Sequence, residues 1–182
     1  VTGVQTCALP IFSFVGLKGR CRYCKATVSW RYPIVELLTS ILSAAVVWQL
    51  GTGIAGLSGL LLLWALIAMS FIDLDTQLLP DELTLPLMWL GLLINLEGTF
   101  VPLRDAVIGA AAGYLSLWLV YWMFRAATGK EGIGYGDFKL LAALGAWMGW
   151  MMLPLIILIS SAVGAVFGIL MIAFKRHQRD QI

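Results

Sequence analysis

The chain has 182 residues, of which 60% are hydrophobic and only 12% are charged. A soluble domain of this size carries roughly a quarter charged residues, and so large an apolar fraction leaves too little polar surface to face water. The composition argues against a soluble enzyme, a disordered segment or a disulfide-rich secreted module, and the net charge of +2 gives no general basicity for binding nucleic acid. We conclude that this is a membrane protein.

Apolar stretches follow one another along the chain and predict an all-α, polytopic membrane helix bundle of about six transmembrane helices. The stretches are 34–50, 54–72, 83–96, 106–124, 138–153 and 154–174. Residues 54–72 would form a rod of ~29 Å, which matches a hydrocarbon core of ~30 Å. The stretch 83–96 is short and contains Pro86, so we expect it to start earlier, near Leu78, or to be tilted or broken. The last two stretches meet at Pro154, where we expect a tight hairpin.

The basic residues are distributed unevenly between the connections, and this predicts the orientation. If six spans alternate, eleven of the twelve Lys and Arg residues lie on one side and only Arg104 lies on the other. Basic residues concentrate on the cytoplasmic side, so both ends of the chain are expected in the cytoplasm. The small-residue pairs Gly109/Gly113, Gly145/Gly149 and Gly164/Gly168 are typical of close helix packing in lipid.

Two acidic segments lie in connections that alternation places on the cytoplasmic side. Residues 70–82 read SFIDLDTQLLPDE, and Asp73 directly follows an apolar run. Residues 129–139 read GKEGIGYGDFK, and Asp137 directly precedes the next apolar run. Acidic residues at the membrane edge are costly and usually functional. The two aspartates are therefore expected at similar depth, and they approach each other if their helices are neighbours; the pattern alone does not separate Asp73 from Asp75.

A pair of close carboxylates suits aspartyl proteolysis, because two such groups tend to share one proton. The ionised member can take a proton from water while the protonated member polarises the scissile carbonyl. His177, the single histidine, lies in the C-terminal tail, so no Ser/His arrangement competes. The glycines at 132, 134 and 136 would let an extended substrate lie beside Asp137, although a flexible connection is the alternative reading.

The segments 70–81 and 129–140, together with RYPIVE at 31–36, resemble the prepilin leader peptidase/N-methyltransferase family of bacterial membrane aspartic proteases. The resemblance implies that Asp73 and Asp137 are the catalytic pair, supported by Gly134 and Gly136. It implies cleavage of the basic leader from type IV prepilins and type II secretion pseudopilins at the cytoplasmic face of the bacterial inner membrane. Proteolysis would need no cofactor, and S-adenosylmethionine would serve N-methylation of the new N-terminus. We expect Asp81 and Glu82 to help hold the basic leader.

Two other classes were weighed against this one. A presenilin- or signal-peptide-peptidase-like protease shares the Gly-x-Gly-Asp element but would place its first aspartate deeper within a span. An ion-coupled transporter would use the aspartates as ion ligands, with repeated halves and polar residues near mid-span. Neither pattern is visible in the sequence.

The ends of the chain depart from the family pattern. Residues 1–11 (VTGVQTCALPI) resemble translated sequencing-adapter read-through and are predicted to be non-native. Residues 12–33 would be the remnant of a cytoplasmic domain, 34–174 the transmembrane peptidase domain and 175–182 a cytoplasmic tail. Cys21 and Cys24 would be half of a structural zinc site, because such a site needs four ligands. We therefore expect a fragment that lacks both ends of the family's usual length.

Overall fold

The computed structural model describes residues 27, 29–129 and 134–179, with the side chains of residue 167 and of the last helix after residue 169 left out. Residues 1–11, Cys21 and Cys24 therefore lie outside the described residues, and what was predicted of them stays a prediction. The chain divides into two compact units, residues 1–71 and 72–182. Each unit is described by itself.

The first unit contains a pair of helices, α1 (Arg31–Leu50) and most of α2 (Ile54–Thr76). Gly51 ends α1 with a φ of 74°, a conformation that glycine adopts without steric cost. The two helices approach closely at Gly59, where a Cβ would lie 2.7 Å from the Leu50 side chain. The Trp64 indole N–H donates a 3.0 Å hydrogen bond to the Ser43 hydroxyl, which links the helices at mid-length.

The second unit contains the end of α2 and four further helices. These are α3 (Asp81–Ile94), α4 (Leu103–Thr128), α5 (Tyr135–Met148) and α6 (Leu153–Arg179), with 3₁₀ turns at Asn95–Glu97 and Trp150–Met152. Prolines stand at the N-caps of α3 and α4, where their extended conformation turns the chain into the helix. Acidic residues occupy the first turn of both helices, where the helix dipole favours negative charge.

The short helix α5 forms the core of the second unit and packs against both α3 and α4. Half of its residues are buried, including Phe138 and Trp147. Glycines let the backbones of α4 and α5 meet: a Cβ on Gly113 would lie 2.6 Å from the Leu141 carbonyl oxygen, and Gly109 meets Gly145 even more closely. These contacts confirm the prediction that the small residues of these two helices serve close packing.

A buried asparagine, Asn95, joins the C-terminal ends of α3 and α5. The Asn95 amide nitrogen donates to the carbonyl oxygens of Ala146 and Trp147 at 2.9 and 3.1 Å. Its oxygen accepts the backbone N–H groups of Phe100 and Val101 at 2.9 and 3.2 Å. Asn95 thus satisfies two carbonyl groups at the end of α5 and two N–H groups in the loop before α4, which would otherwise lack partners in an apolar setting.

The predicted all-α membrane fold is confirmed, since a helix forms most of each of the six apolar stretches. Three helices in the described part of the chain, α1, α2 and α4, are long and apolar enough to cross a membrane. Helices α3 and α5 have 14 residues each, about 21 Å of rise. The stretch 83–96 starts two residues earlier, at Asp81, and α3 continues through Pro86 without a break in its helical assignment.

Two expectations about the later stretches differ from the structure. The stretch 138–153 does not stay helical to its end, because Gly149 has a φ of 77° and a 3₁₀ turn follows it before α6 begins. The turn therefore precedes Pro154, which lies inside the first turn of α6, where proline is tolerated. A Cβ on Gly164 or Gly168 would meet nothing within 4 Å, so this pair makes no close packing with the described residues.

Candidate active site

Asp73 lies in the last turn of α2 and is exposed. The helix ends three residues later, at Thr76, and Gln77 follows with a φ of 55°, in the left-handed region. The Gln77 N–H donates a 2.7 Å hydrogen bond to the Asp73 carbonyl oxygen, which closes the helix. Asp73 therefore lies at the C-terminal end of α2, just before the chain changes direction.

Asp137 lies in the first turn of α5, just before the apolar part of that helix. Gly134 is the N-cap of α5 in an extended conformation, and Asp137 is the third helical residue. An acidic side chain at this position can reach back to the N-cap N–H, and the carboxylate of Asp137 accepts a hydrogen bond from the Gly134 backbone. The helix start thus fixes the direction of the carboxyl group.

The two aspartates, 64 residues apart in the chain, influence each other electrostatically. Asp137 is exposed at the surface, but its partial burial raises the pKa above the ordinary value of 3.8, the negative charge of Asp73 raises this pKa further, and the Gly134 hydrogen bond lowers it. A neighbouring like charge disfavours ionisation, so Asp137 holds a proton more readily than an isolated carboxyl group. Asp73 is thus close enough to Asp137 to affect its pKa, and the catalytic role of the two aspartates stays a prediction.

The glycines before Asp137 have different surroundings. A Cβ on Gly136 would lie 2.7 Å from the Cβ of Leu79, in the connection between α2 and α3. A Cβ on Gly134 would meet only the Asp137 carboxylate, at an ordinary 3.7 Å. Gly136 is therefore required for close approach of two segments, while Gly134 is not sterically restricted.

The acidic residues that follow Asp73 differ in their surroundings. Asp81 begins α3, and Lys139 of α5 donates to both of its carboxylate oxygens at 2.6 Å. Glu82 and Asp75 are exposed. The expected role of Asp81 and Glu82 in holding a basic leader stays a prediction, and the structure adds that the charge of Asp81 is already matched by Lys139.

A tyrosine cluster supports the start of α5 and was not anticipated from the sequence. The Tyr135 hydroxyl donates to the Tyr121 hydroxyl at 3.3 Å, and the Arg125 guanidinium donates to the same oxygen at 3.0 Å. The ring of Tyr121 is buried and stands edge-on to the ring of Phe138. This cluster anchors the first turn of α5, and with it Asp137, to the last turns of α4.

In the sequence, Lys139 contributes only to the count of basic residues that predicts the orientation. The signal that could have revealed more is its place two residues after Asp137 in an apolar helix, where a charge requires a partner. Among the residues that the structure describes, no group of three or more His, Cys, Asp or Glu side chains could hold a metal ion.

Fold and site together define a class: a helical membrane protein with one aspartate in the last turn of an apolar helix and a second, electrostatically coupled to it, in the first turn of another. Comparison with known sequences makes the assignment more specific. The chain belongs to the type IV leader peptidase family, whose sequence model matches residues 60–169. The model of the bacterial peptidase A24 N-terminal domain matches residues 5–50.

Curated relatives carry the name prepilin leader peptidase/N-methyltransferase. The protein from Aeromonas salmonicida is 60% identical over 173 residues, which cover 95% of this chain and 60% of the relative. Those from Stutzerimonas stutzeri and Neisseria gonorrhoeae are 56% and 53% identical over 170 residues, 93% of this chain and 59% of each relative. The chain thus spans about 60% of the length of the curated relatives it matches. No solved structure matches it significantly.

Proposed function

We propose that the chain carries the catalytic part of a membrane aspartic endopeptidase that removes the basic leader from type IV prepilins and type II secretion pseudopilins. The observation that carries the proposal is the raised pKa of Asp137, to which partial burial contributes most and the charge of Asp73 adds. Family membership and the names of the relatives support the same reaction.

The direction of this shift favours Asp137 as the protonated member of the pair. Asp137 retains the proton and donates a hydrogen bond to the scissile carbonyl oxygen, which makes the carbonyl carbon more electrophilic. The other aspartate, Asp73, takes a proton from water as the water oxygen attacks that carbon. The tetrahedral intermediate collapses when a carboxyl group protonates the leaving amine, and the pair returns to a state with one shared proton.

The placement of the site fits a substrate that lies partly in the membrane. Asp73 ends one apolar helix and Asp137 begins another, so the pair lies at the membrane edge. The distribution of basic residues supports the cytoplasmic face of a bacterial inner membrane, with both ends of the chain on that side. The exposed Glu82 and Asp75 supply negative charge for a basic leader.

N-methylation of the new N-terminus and structural zinc remain separate proposals. The names of the relatives support a methyltransferase that would use S-adenosylmethionine, and the spacing of Cys21 and Cys24 supports half of a zinc site. Two thiolates do not complete a four-ligand site, and no step of proteolysis is assigned to a metal.

The test is leader removal in bacterial membranes that lack their own prepilin peptidase. The chain is expressed alone and also in place of the matching residues of the Aeromonas salmonicida relative, a protein we call the chimera. A prepilin is co-expressed, and its mass and N-terminus are determined. We expect the chimera to remove the leader, Asp73→Asn and Asp137→Asn each to abolish removal, and Asp75→Asn to retain it.

The contradicting results are specific. Leader removal that persists in Asp73→Asn or Asp137→Asn rules out the aspartate pair. Loss of activity in Asp75→Asn, with Asp73→Asn active, moves the catalytic role to the neighbouring aspartate. A chimera that accumulates in the membrane and cleaves no prepilin or pseudopilin refutes the proposed substrate class.

A further inference from the structure

The connection between α2 and α3 starts close to Asp73 and contacts the first turns of α5, the helix that carries Asp137. It begins directly after the last turn of α2, where the Gln77 N–H closes on the Asp73 carbonyl oxygen at 2.7 Å. It ends at Asp81, the first residue of α3. The position of Asp73 therefore depends on where residues 77–81, which we call the connecting segment, are held.

The first contact of the connecting segment is with the start of α5. Leu79 packs so closely against Gly136 that a Cβ on the glycine would lie 2.7 Å from the leucine Cβ. Gly136 directly precedes Asp137. This contact sets how near the connecting segment can come to Asp137. It does not prevent the connecting segment from moving away from α5.

The second contact is attractive. The Lys139 ammonium donates to both carboxylate oxygens of Asp81 at 2.6 Å, across 58 positions of the chain. The Lys139 side chain is only 27% exposed, and its stem lines an apolar groove with Leu85 and Tyr114. Partial removal of water strengthens an ion pair relative to a fully solvated one. Lys139 lies two residues beyond Asp137. The Lys139–Asp81 ion pair therefore holds the connecting segment near Asp137.

We propose that Lys139 is a positioning residue of the peptidase, which holds the connecting segment through Asp81 and thereby sets the distance between Asp73 and Asp137. This inference rests on the proposed function for its kinetic consequence, although the spacing of the aspartates can be measured without activity. Lys139 acts through Asp81 and is assigned no contact with substrate. Asp81 then serves the arrangement of the site and not the recognition of a basic leader.

The kinetic experiment uses the chimera with Lys139→Met, Asp81→Asn, their combination and Lys139→Arg, assayed on a prepilin in detergent or liposomes. A loosened aspartate pair lowers kcat, and a misplacement of ~1 Å is expected to lower it by about 10²-fold. We expect each single variant to lose kcat by about 10- to 10²-fold with KM changed less than about twofold. The combination should lose no more than either single change, because both remove the same ion pair. Lys139→Arg should retain activity within about threefold of the parent.

The activity-independent experiment measures the distance directly. Cys7, Cys21 and Cys24 are replaced by serine, and cysteines are introduced with Asp73→Cys and Asp137→Cys. The yield of cross-linking by a short bifunctional thiol reagent is then compared with and without Lys139→Met. We expect the yield to fall at least about threefold with Lys139→Met and to be retained with Lys139→Arg. Glu97→Gln, which removes an exposed acid at the opposite end of α3, serves as the matched control and should change neither readout.

Each other outcome overturns the inference. An increase in KM for Asp81→Asn, with Lys139→Met unaffected, would show that Asp81 recognises the leader. A lower amount of folded enzyme with unchanged kcat per folded molecule would show a role in stability alone. Unchanged cross-linking in Lys139→Met would show that the ion pair does not set the spacing, whether or not the chimera cleaves a prepilin.

Discussion

The substitution Gly136→Ala tests the close approach on which the aspartate pair depends. The added Cβ would lie 2.7 Å from the Cβ of Leu79, whereas ordinary contacts begin at about 3.4 Å. The atom that it meets is at the base of a side chain, so no rotamer change of Leu79 relieves the overlap. The connecting segment and the start of α5 must therefore separate by about 0.7 Å or more.

Moving these two segments apart displaces the chain near both Asp73 and Asp137. Gly136 precedes Asp137 directly, and Leu79 follows Asp73 by six residues through the turn at Gln77. A displacement of ~1 Å in a catalytic group can cost about 10²-fold in rate. We expect Gly136→Ala in the chimera to lower kcat for leader removal by about 10- to 10²-fold, with little change in KM.

The chain offers a matched control and a suppressor. Gly134 has a φ of −73°, which alanine adopts freely, and its Cβ would be 3.7 Å from the nearest atom, so Gly134→Ala should stay within about threefold of the parent. Leu79→Gly removes the opposing Cβ, so the double variant with Gly136→Ala should recover part of the lost kcat. Full activity in Gly136→Ala, or an equal loss in Gly134→Ala, would refute the steric reasoning.

Two further predictions concern stability, measured by thermal and denaturant unfolding of the full chain in detergent. Because the pKa of Asp137 is raised, its contribution to stability is fully present below its unfolded value near 3.8 and is lost as pH rises through the folded value. Asp137→Asn should therefore unfold at a higher temperature than the parent at neutral pH, and the difference should shrink in acid; a less stable variant at neutral pH would contradict the direction of the shift. Asn95→Leu leaves four backbone groups, two at the end of α5 and two in the loop before α4, without their partner and should lower the free energy of unfolding by about 3–6 kcal/mol. A loss under about 1 kcal/mol, similar to that of the exposed Glu97→Gln, would show that these groups find other partners.

The helices could be predicted because the bilayer imposes a simple constraint. Backbone groups in lipid need internal hydrogen bonds, so each apolar stretch forms a helix. The bounds α2 Ile54–Thr76 and α4 Leu103–Thr128 contain the predicted stretches 54–72 and 106–124 with a few polar residues added at the ends. Helix ends extend past the apolar run because hydrogen bonding, unlike hydropathy, continues through residues such as Asp73.

The order of burial could not be predicted from hydropathy. Helices α1 and α5 are similarly apolar, yet α5 forms the core of its unit while α1 has no buried residue. Gly164 and Gly168 have the same spacing as Gly109 and Gly113, but within the described part of the chain only the latter pair meets a neighbouring backbone. A small-residue spacing shows that a face can pack closely, and it carries no information about whether another helix lies there.

The sequence by itself determined the class of the molecule and the two acidic segments, because composition, hydropathy and the place of a charge at the end of an apolar run are local properties of the chain. Tertiary structure alone decided that Lys139 holds Asp81, that Gly136 meets Leu79, and that Asp137 is the carboxyl group with the raised pKa. These are interactions between residues 57 to 64 positions apart, and their existence depends on which helix faces meet. Packing of α5 against its neighbours supplies that choice.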